Sequence, residues 1–132
     1  MVKVCTAMVL LFLVGCTTLS KPDEDSITRP FTDADAKRPI TIATNRSFDI
    51  GLQANPTTGY EWSLSFEPQG IIGVKSKTFS ADSSRRVGVG GTMIWTMGSK
   101  KVGTARLTFR YHRPWEERTD PTRVVTFEIN VR

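Results

Sequence analysis

The chain has 132 residues, 39% hydrophobic and 23% charged, with a formal net charge of +5. That is one domain's worth of sequence, and its Trp 3, Phe 7 and Tyr 2 supply a core that a disordered chain would lack. Two cysteines exclude a multi-disulfide scaffold, one histidine excludes a His-rich zinc site, and neither metal nor cofactor is expected.

Residues 1–15 read as a secretion leader. Lys3 provides the positive start and 7–14 the short apolar run. The apolar stretch 4–16 is shorter than the ~20 residues a spanning helix needs. It ends in Leu13-Val14-Gly15-Cys16, which resembles the bacterial lipobox. That resemblance implies a diacylglyceryl thioether on Cys16, cleavage before it and an acylated new N-terminus. The alternative is an ordinary signal peptide with an incidental cysteine. Thr17, rather than Asp, follows the cysteine, a pattern similar to outer-membrane sorting in Gram-negative cells. The expected setting is therefore the bacterial cell envelope, lipid-anchored at Cys16, in the outer membrane or periplasm of a Gram-negative host. Cys5 leaves with the leader and Cys16 carries lipid, so the mature chain offers no free thiol and no disulfide.

Residues 16–38 read as the lipidated cysteine and a flexible tether. Pro22, Pro30 and five acids between 23 and 35 leave little apolar periodicity to offset the entropy of ordering. The folded domain is expected over 39–132, which carries a net +5. Its basic residues are scattered among acids, so this is no nucleic-acid footprint.

From Pro39 onward the hydrophobic period is two. Phe48, Ile50, Leu52 and Ala54 share one face of 47–54, and Tyr60, Trp62, Leu64 and Phe66 one face of 60–66. In 103–112, Ala105, Leu107, Phe109 and Tyr111 alternate with polar residues, and in 123–131 Val125, Phe127, Ile129 and Val131 do the same. Such alternation predicts half-buried antiparallel strands. Less regular stretches at 40–44, 71–79 and 92–97 complete about seven strands, with no helical stripe between them. The fold class is all-β, an immunoglobulin-like antiparallel β-sandwich of about seven strands.

Successive strands of such a sandwich alternate in direction, so alternate connections share an end. One end then holds short, plain turns. The other holds the second, fourth and sixth connections: Asn55-Pro56-Thr57-Thr58-Gly59, the stretch 80–91 with Gly88-Val89-Gly90-Gly91, and 113–122, opening Arg113-Pro114-Trp115-Glu116. The asymmetry marks a working end. Each loop also has a plain reading. The first is a turn or a binding tip, with two consecutive threonines beyond what a bare turn needs. The glycines are a flexible hairpin or a backbone that another chain approaches closely; no strand–loop–helix unit makes them a phosphate loop. Trp115 beside a proline is an exposed anchor or a third core tryptophan after Trp62 and Trp95. Glu116 and Glu117 read as solvated carboxylates rather than an acid/base pair, and His112 as a strand-end residue with no relay partner.

Asn55-Pro56-Thr57-Thr58-Gly59-Tyr60, Gly88-Val89-Gly90-Gly91 and Arg113-Pro114-Trp115, in this order, resemble the three signature loops of the chagasin family. The resemblance covers 40–132 and implies an inhibitor of papain-like cysteine proteases, not an enzyme; a monomer is the default state. It implies that the three loops enter the protease cleft, with Thr57, Thr58 and Gly59 nearest the catalytic cysteine. The glycines would lie along the non-primed side, and Trp115, supported by Arg113, on the primed side. The alternative class is an envelope adhesion or assembly module using the same loop end, since the sandwich serves many functions. Three motifs in order favour the inhibitor.

Overall fold

The structure is a computed structural model that describes residues 27, 29–83, 88–116 and 123–132. The leader, Cys16 and the first part of the tether lie outside the described residues. Those described form seven strands: β1 (Ile40–Ile42), β2 (Ser47–Ala54), β3 (Glu61–Glu67), β4 (Ile72–Ala81), β5 (Gly91–Ser99), β6 (Gly103–His112) and β7 (Arg123–Val131). The expected spans agree with these to within a few residues.

The strands make two sheets, one ordered β1-β7-β6-β3 and the other β2-β5-β4. Phe48, Ile50, Leu52 and Ala54 of β2 are buried, as are Ala105, Leu107 and Phe109 of β6 and Val125, Phe127, Ile129 and Val131 of β7. The period-two pattern thus points each strand's apolar face into one core. Trp95 of β5 meets Phe109 of β6 across the core, ring centroids 4.9 Å apart at 63°. Phe109 in turn packs edge-on against Trp62 and Phe127. Each such buried side chain contributes roughly 1.5–3 kcal/mol relative to exposure. β4 departs from the pattern. Beyond Ile72 it is largely exposed, and it lies at the edge of its sheet. A register shift between Val74 and Ser76, and Lys77 lying 5.5 Å from the Trp95 ring, blunt that edge against pairing with another chain.

Two findings differ from the sequence expectations. First, β1 runs parallel to β7, with Ile40 opposite Ile129 and Ile42 opposite Val131, so the sandwich is not wholly antiparallel. Directions still alternate along the chain. Placing the first strand beside the seventh makes that one pair parallel, because both are odd-numbered. Second, residues 29–38 are no free tether. Phe31 forms a parallel bridge with Ile50, through Phe31 N–H to Asp49 O and Gly51 N–H to Phe31 O, both 2.8 Å. A 3-10 turn, Asp33–Lys37, then leads across to β7 and into β1. The segment is a strap over both sheets. Ile27, Phe31 and Ala36 pack against the core, and Phe31 meets Phe48 edge-on at 6.2 Å.

The strap is latched by charge. Both terminal guanidinium nitrogens of Arg29, Nη1 and Nη2, donate to the Asp35 carboxylate at 2.8 Å, and the Thr32 backbone N–H donates to it at 2.9 Å. Arg29 first, then the Thr32 N–H, hold the Asp35 carboxyl well below the usual carboxylate range. A depressed folded-state pKa gives stability that is complete above the unfolded value, about 3.9, and is lost as pH falls through the folded value. Urea unfolding at pH 7 is expected to find Asp35→Asn less stable than the parent. That gap is expected to shrink as pH falls below about 4. A gap independent of pH would show that the latch does not carry the effect.

Candidate functional site

Directional alternation places the β2–β3, β4–β5 and β6–β7 loops at one pole, as expected. The residues singled out in the sequence then come together in three contacts. The first joins the β2–β3 loop to the glycine loop. Asn55 Nδ2 donates to Gly88 O at 3.1 Å, and Gly90 lies close enough that a Cβ would meet Ala54 O at 3.0 Å. The second joins the β2–β3 loop to the β6–β7 loop. The Trp115 ring covers Gly59 so closely that a Cβ there would sit 2.1 Å from Cη2. The third is a stack: the Arg113 guanidinium lies 4.6 Å from the Tyr60 ring centroid, and Tyr60 stacks on Tyr111 at 5.3 Å.

The local chemistry explains the shape of the first loop. Asn55 caps a short 3-10 turn, Pro56–Thr58, with Pro56 at its first position, where the missing N–H costs nothing. Asn55 Oδ1 accepts from the Thr57 N–H (3.2 Å) and hydroxyl (2.6 Å). Asn55 O accepts from the Thr58 hydroxyl at 2.7 Å and its N–H at 3.2 Å. Gly59 closes the turn at φ 77°, which glycine adopts without strain. The consecutive threonines are therefore part of the turn itself. Their hydroxyl protons bond inward, and their side chains remain exposed at the tip with Pro56.

The glycines divide their roles. Gly88, exposed at φ 82°, needs its left-handed backbone. Gly91 is buried at the start of β5, where a Cβ would fall 2.3 Å from Ser80 O, so the chain's own backbone fills that space. Val89 and Gly90 are half-buried. Residues 84–87 lie outside the described residues.

In the third loop, Glu116 N–H bonds Arg113 O at 3.2 Å, closing a tight turn with Pro114 and Trp115 at its corner. Trp115 is 64% exposed, whereas Trp62 and Trp95 are buried at 3% each. The anchor reading, rather than a third core tryptophan, fits this placement. Glu116 differs from expectation. Its carboxylate accepts from Arg113 at 3.1 Å, which fixes the guanidinium over Tyr60 instead of leaving both groups to solvent. Glu117 lies outside the described residues.

Sequence reasoning missed Tyr111. Its ring is the core-facing end of the β6 alternation, but its hydroxyl accepts the Asn55 N–H at 2.9 Å. A tyrosine at the last inward position of a strand, beside a loop, was the available signal, because a buried phenol needs a hydrogen-bond partner. Trp62, directly opposite Tyr111 in the β3–β6 register, acts similarly, donating its Nε1–H to Gln53 O at 3.0 Å.

Comparisons with known proteins identify the family and the fold. The chagasin family peptidase inhibitor I42 profile matches residues 41–131. Amoebiasin-2 of Entamoeba histolytica is 30% identical over 103 residues, 76% of this chain and 83% of the relative. Chagasin of Trypanosoma cruzi is 32% identical over 81 residues, 58% and 73% of the two chains. The crystal structure of the cysteine protease inhibitor EhICP2 from Entamoeba histolytica superposes with a TM-score of 0.71 at 28% identity, over 79% of this chain and 95% of that one. The family profile spans the sandwich from β1 to β7, and its members are protease inhibitors rather than enzymes: the chain belongs to the chagasin family of peptidase inhibitors.

Proposed function

We propose that the chain is a tight, reversible, competitive inhibitor of papain-like cysteine proteases that acts as a monomer and fills the active-site cleft with its three coupled loops. The observation that carries this reading is their mutual bracing. Asn55 holds Gly88, Trp115 covers Gly59, and Arg113 stacks on Tyr60. Loops already fixed against one another lose little entropy on binding, which favours tight association without a covalent step. The exposed tip Pro56, Thr57 and Thr58 reaches furthest toward the catalytic cysteine. The exposed backbone at Gly88 pairs on one side of it, and Trp115 anchors on the other. A contact of standard size would bury ~800 Å² on each partner. The same reading places the inhibitor on a bacterial envelope, lipid-anchored through Cys16, supported by the leader and the Leu13-Val14-Gly15-Cys16 pattern.

The direct test is titration of papain with the chain beginning at Thr17, which keeps the strap. Stoichiometric loss of activity, relieved by excess substrate and reversed on dilution, is the expected result; a folded chain with no effect on papain or a cathepsin panel would overturn the reading. Trp115→Ala is expected to cost about 2 kcal/mol of binding, roughly 30-fold in the inhibition constant, as an interface anchor would. Thr58→Phe is expected to weaken inhibition while thermal unfolding stays near the parent's, because the side chain is exposed; unchanged inhibition would remove the tip from the cleft.

Gly59→Ala tests the bracing. The added methyl meets Trp115 and strains a backbone at φ 77°. The change is expected to cost stability on the order of 1 kcal/mol and weaken inhibition tenfold or more. Combined with Trp115→Ala, it is expected to add much less than it costs alone. For the anchor, palmitate labelling in a bacterial host is expected to mark the chain, and Cys16→Ser to abolish the mark.

A further inference from the structure

The pole opposite the inhibitory loops is a rigid platform. It consists of the turns 43–46, 68–71 and 100–102 together with Arg132. The buried Ser99 hydroxyl donates to Ala43 O at 2.6 Å and accepts from the Arg46 N–H at 2.9 Å. Asn45 N–H bonds Ser99 O, Thr44 N–H bonds Arg132 O, and Lys100 N–H bonds Ile71 O. These ties join the turns and the end of β7 into one surface.

That surface is basic. Arg46, Lys100, Lys101 and Arg132 are all exposed on it, and Lys75 reaches its margin, donating to the Ser47 hydroxyl at 2.6 Å. Glu67, at the end of β3, is the one acidic side chain beside them in these turns. Val102, next to Lys101, is 71% exposed at the tip of its turn. The described residues of the loop pole are different: Arg113 and Arg123 stand there against Glu61, Asp82 and Glu116.

The path of the strap adds a second observation. The stretch at Phe31 runs parallel to β2, which itself runs from the basic pole toward the loops. Ile27 accordingly lies with Ser47 and Phe48, near the start of β2. The first described residue of the strap thus lies toward the basic pole.

We propose that this basic pole docks on an anionic phospholipid surface, holding the three loops away from it. Lysine and arginine at such a surface are attracted to its headgroups, each strengthening binding by about fivefold. Val102 supplies an apolar tip between the charges. The ten residues of β6 raise the loops roughly 33 Å above the platform. The eleven residue-to-residue steps from Cys16 to Ile27 reach at most roughly 38 Å, enough for an anchored chain to rest on this pole. The setting rests on the lipid-anchor reading, but the charge pattern does not.

The test uses the unlipidated full chain from cell-free translation, so its outcome is independent of acylation at Cys16. Binding is measured by co-sedimentation with vesicles of phosphatidylcholine, with and without phosphatidylglycerol. The chain is expected to bind the anionic vesicles more tightly, and Lys100→Glu/Lys101→Glu to lower that gain about 25-fold or more. The control pair Arg106→Glu/Arg110→Glu, on the exposed face of the four-stranded sheet, makes the same change in net charge and is expected to lower it far less. The bound chain is expected to titrate added papain as the free chain does. Equal losses from the two pairs would overturn the proposal, since net charge alone would then explain the binding. Duplex DNA displacing the chain from vesicles at equal charge concentration would also overturn it, as a generic polyanion patch. Loss of papain titration on the vesicles would overturn the orientation.

Discussion

Asn55 is the point on which the loop pole depends. It stands at the last step out of β2, and each of its polar groups is committed to a different neighbour. The backbone N–H goes to Tyr111, the carbonyl to Thr58, the side-chain oxygen to Thr57 and the side-chain amide to Gly88. One residue thus ties its own turn to the glycine loop and to the strand that leads into the tryptophan loop. A change at this residue frees several donors and acceptors together, so the described parts of the loops are linked through one side chain and its backbone. This is why rigidity, rather than any single reactive group, is the chemical asset of the site.

The same logic shows which parts were legible in the sequence. β2, β6 and β7 announce themselves because burial on one face imposes strict alternation, and their inward residues are those that alternate. β4 is readable as a strand but not as an exposed edge, since Val74 and Phe79 look like core positions until β4 is known to end the sheet. The strap is the clearest failure. Its order comes from three isolated apolar residues, Ile27, Phe31 and Ala36, and from an ion pair between residues six apart, Arg29 and Asp35. Neither leaves a periodic trace, and the prolines and acids around them imitate a linker.

The loop motifs were legible one by one, but their couplings were not. Asn55 and Gly88 lie 33 positions apart, and nothing in either segment names the other. Gly59 illustrates the limit. Its left-handed turn is foreseeable from a proline-initiated loop, whereas the second demand on it, the Trp115 ring in the place of a Cβ, exists only after folding. A glycine held by two independent constraints is harder to replace than either constraint alone implies.

The two poles complement each other physically. At the loop pole the Arg113–Glu116 pair fixes a cation over an aromatic ring instead of leaving it wholly to solvent. On the proposed function its recognition rests on shape, backbone and one exposed indole, features that tolerate varied side chains on a partner. The opposite pole keeps its cations exposed on stitched turns, where they attract at long range without shape. Strand alternation makes this division possible, because it sends every second connection to the same end. A sandwich of seven strands can therefore assign short-range fit to one pole and long-range attraction to the other, with the same core of Trp95, Phe109 and Phe127 holding both in place.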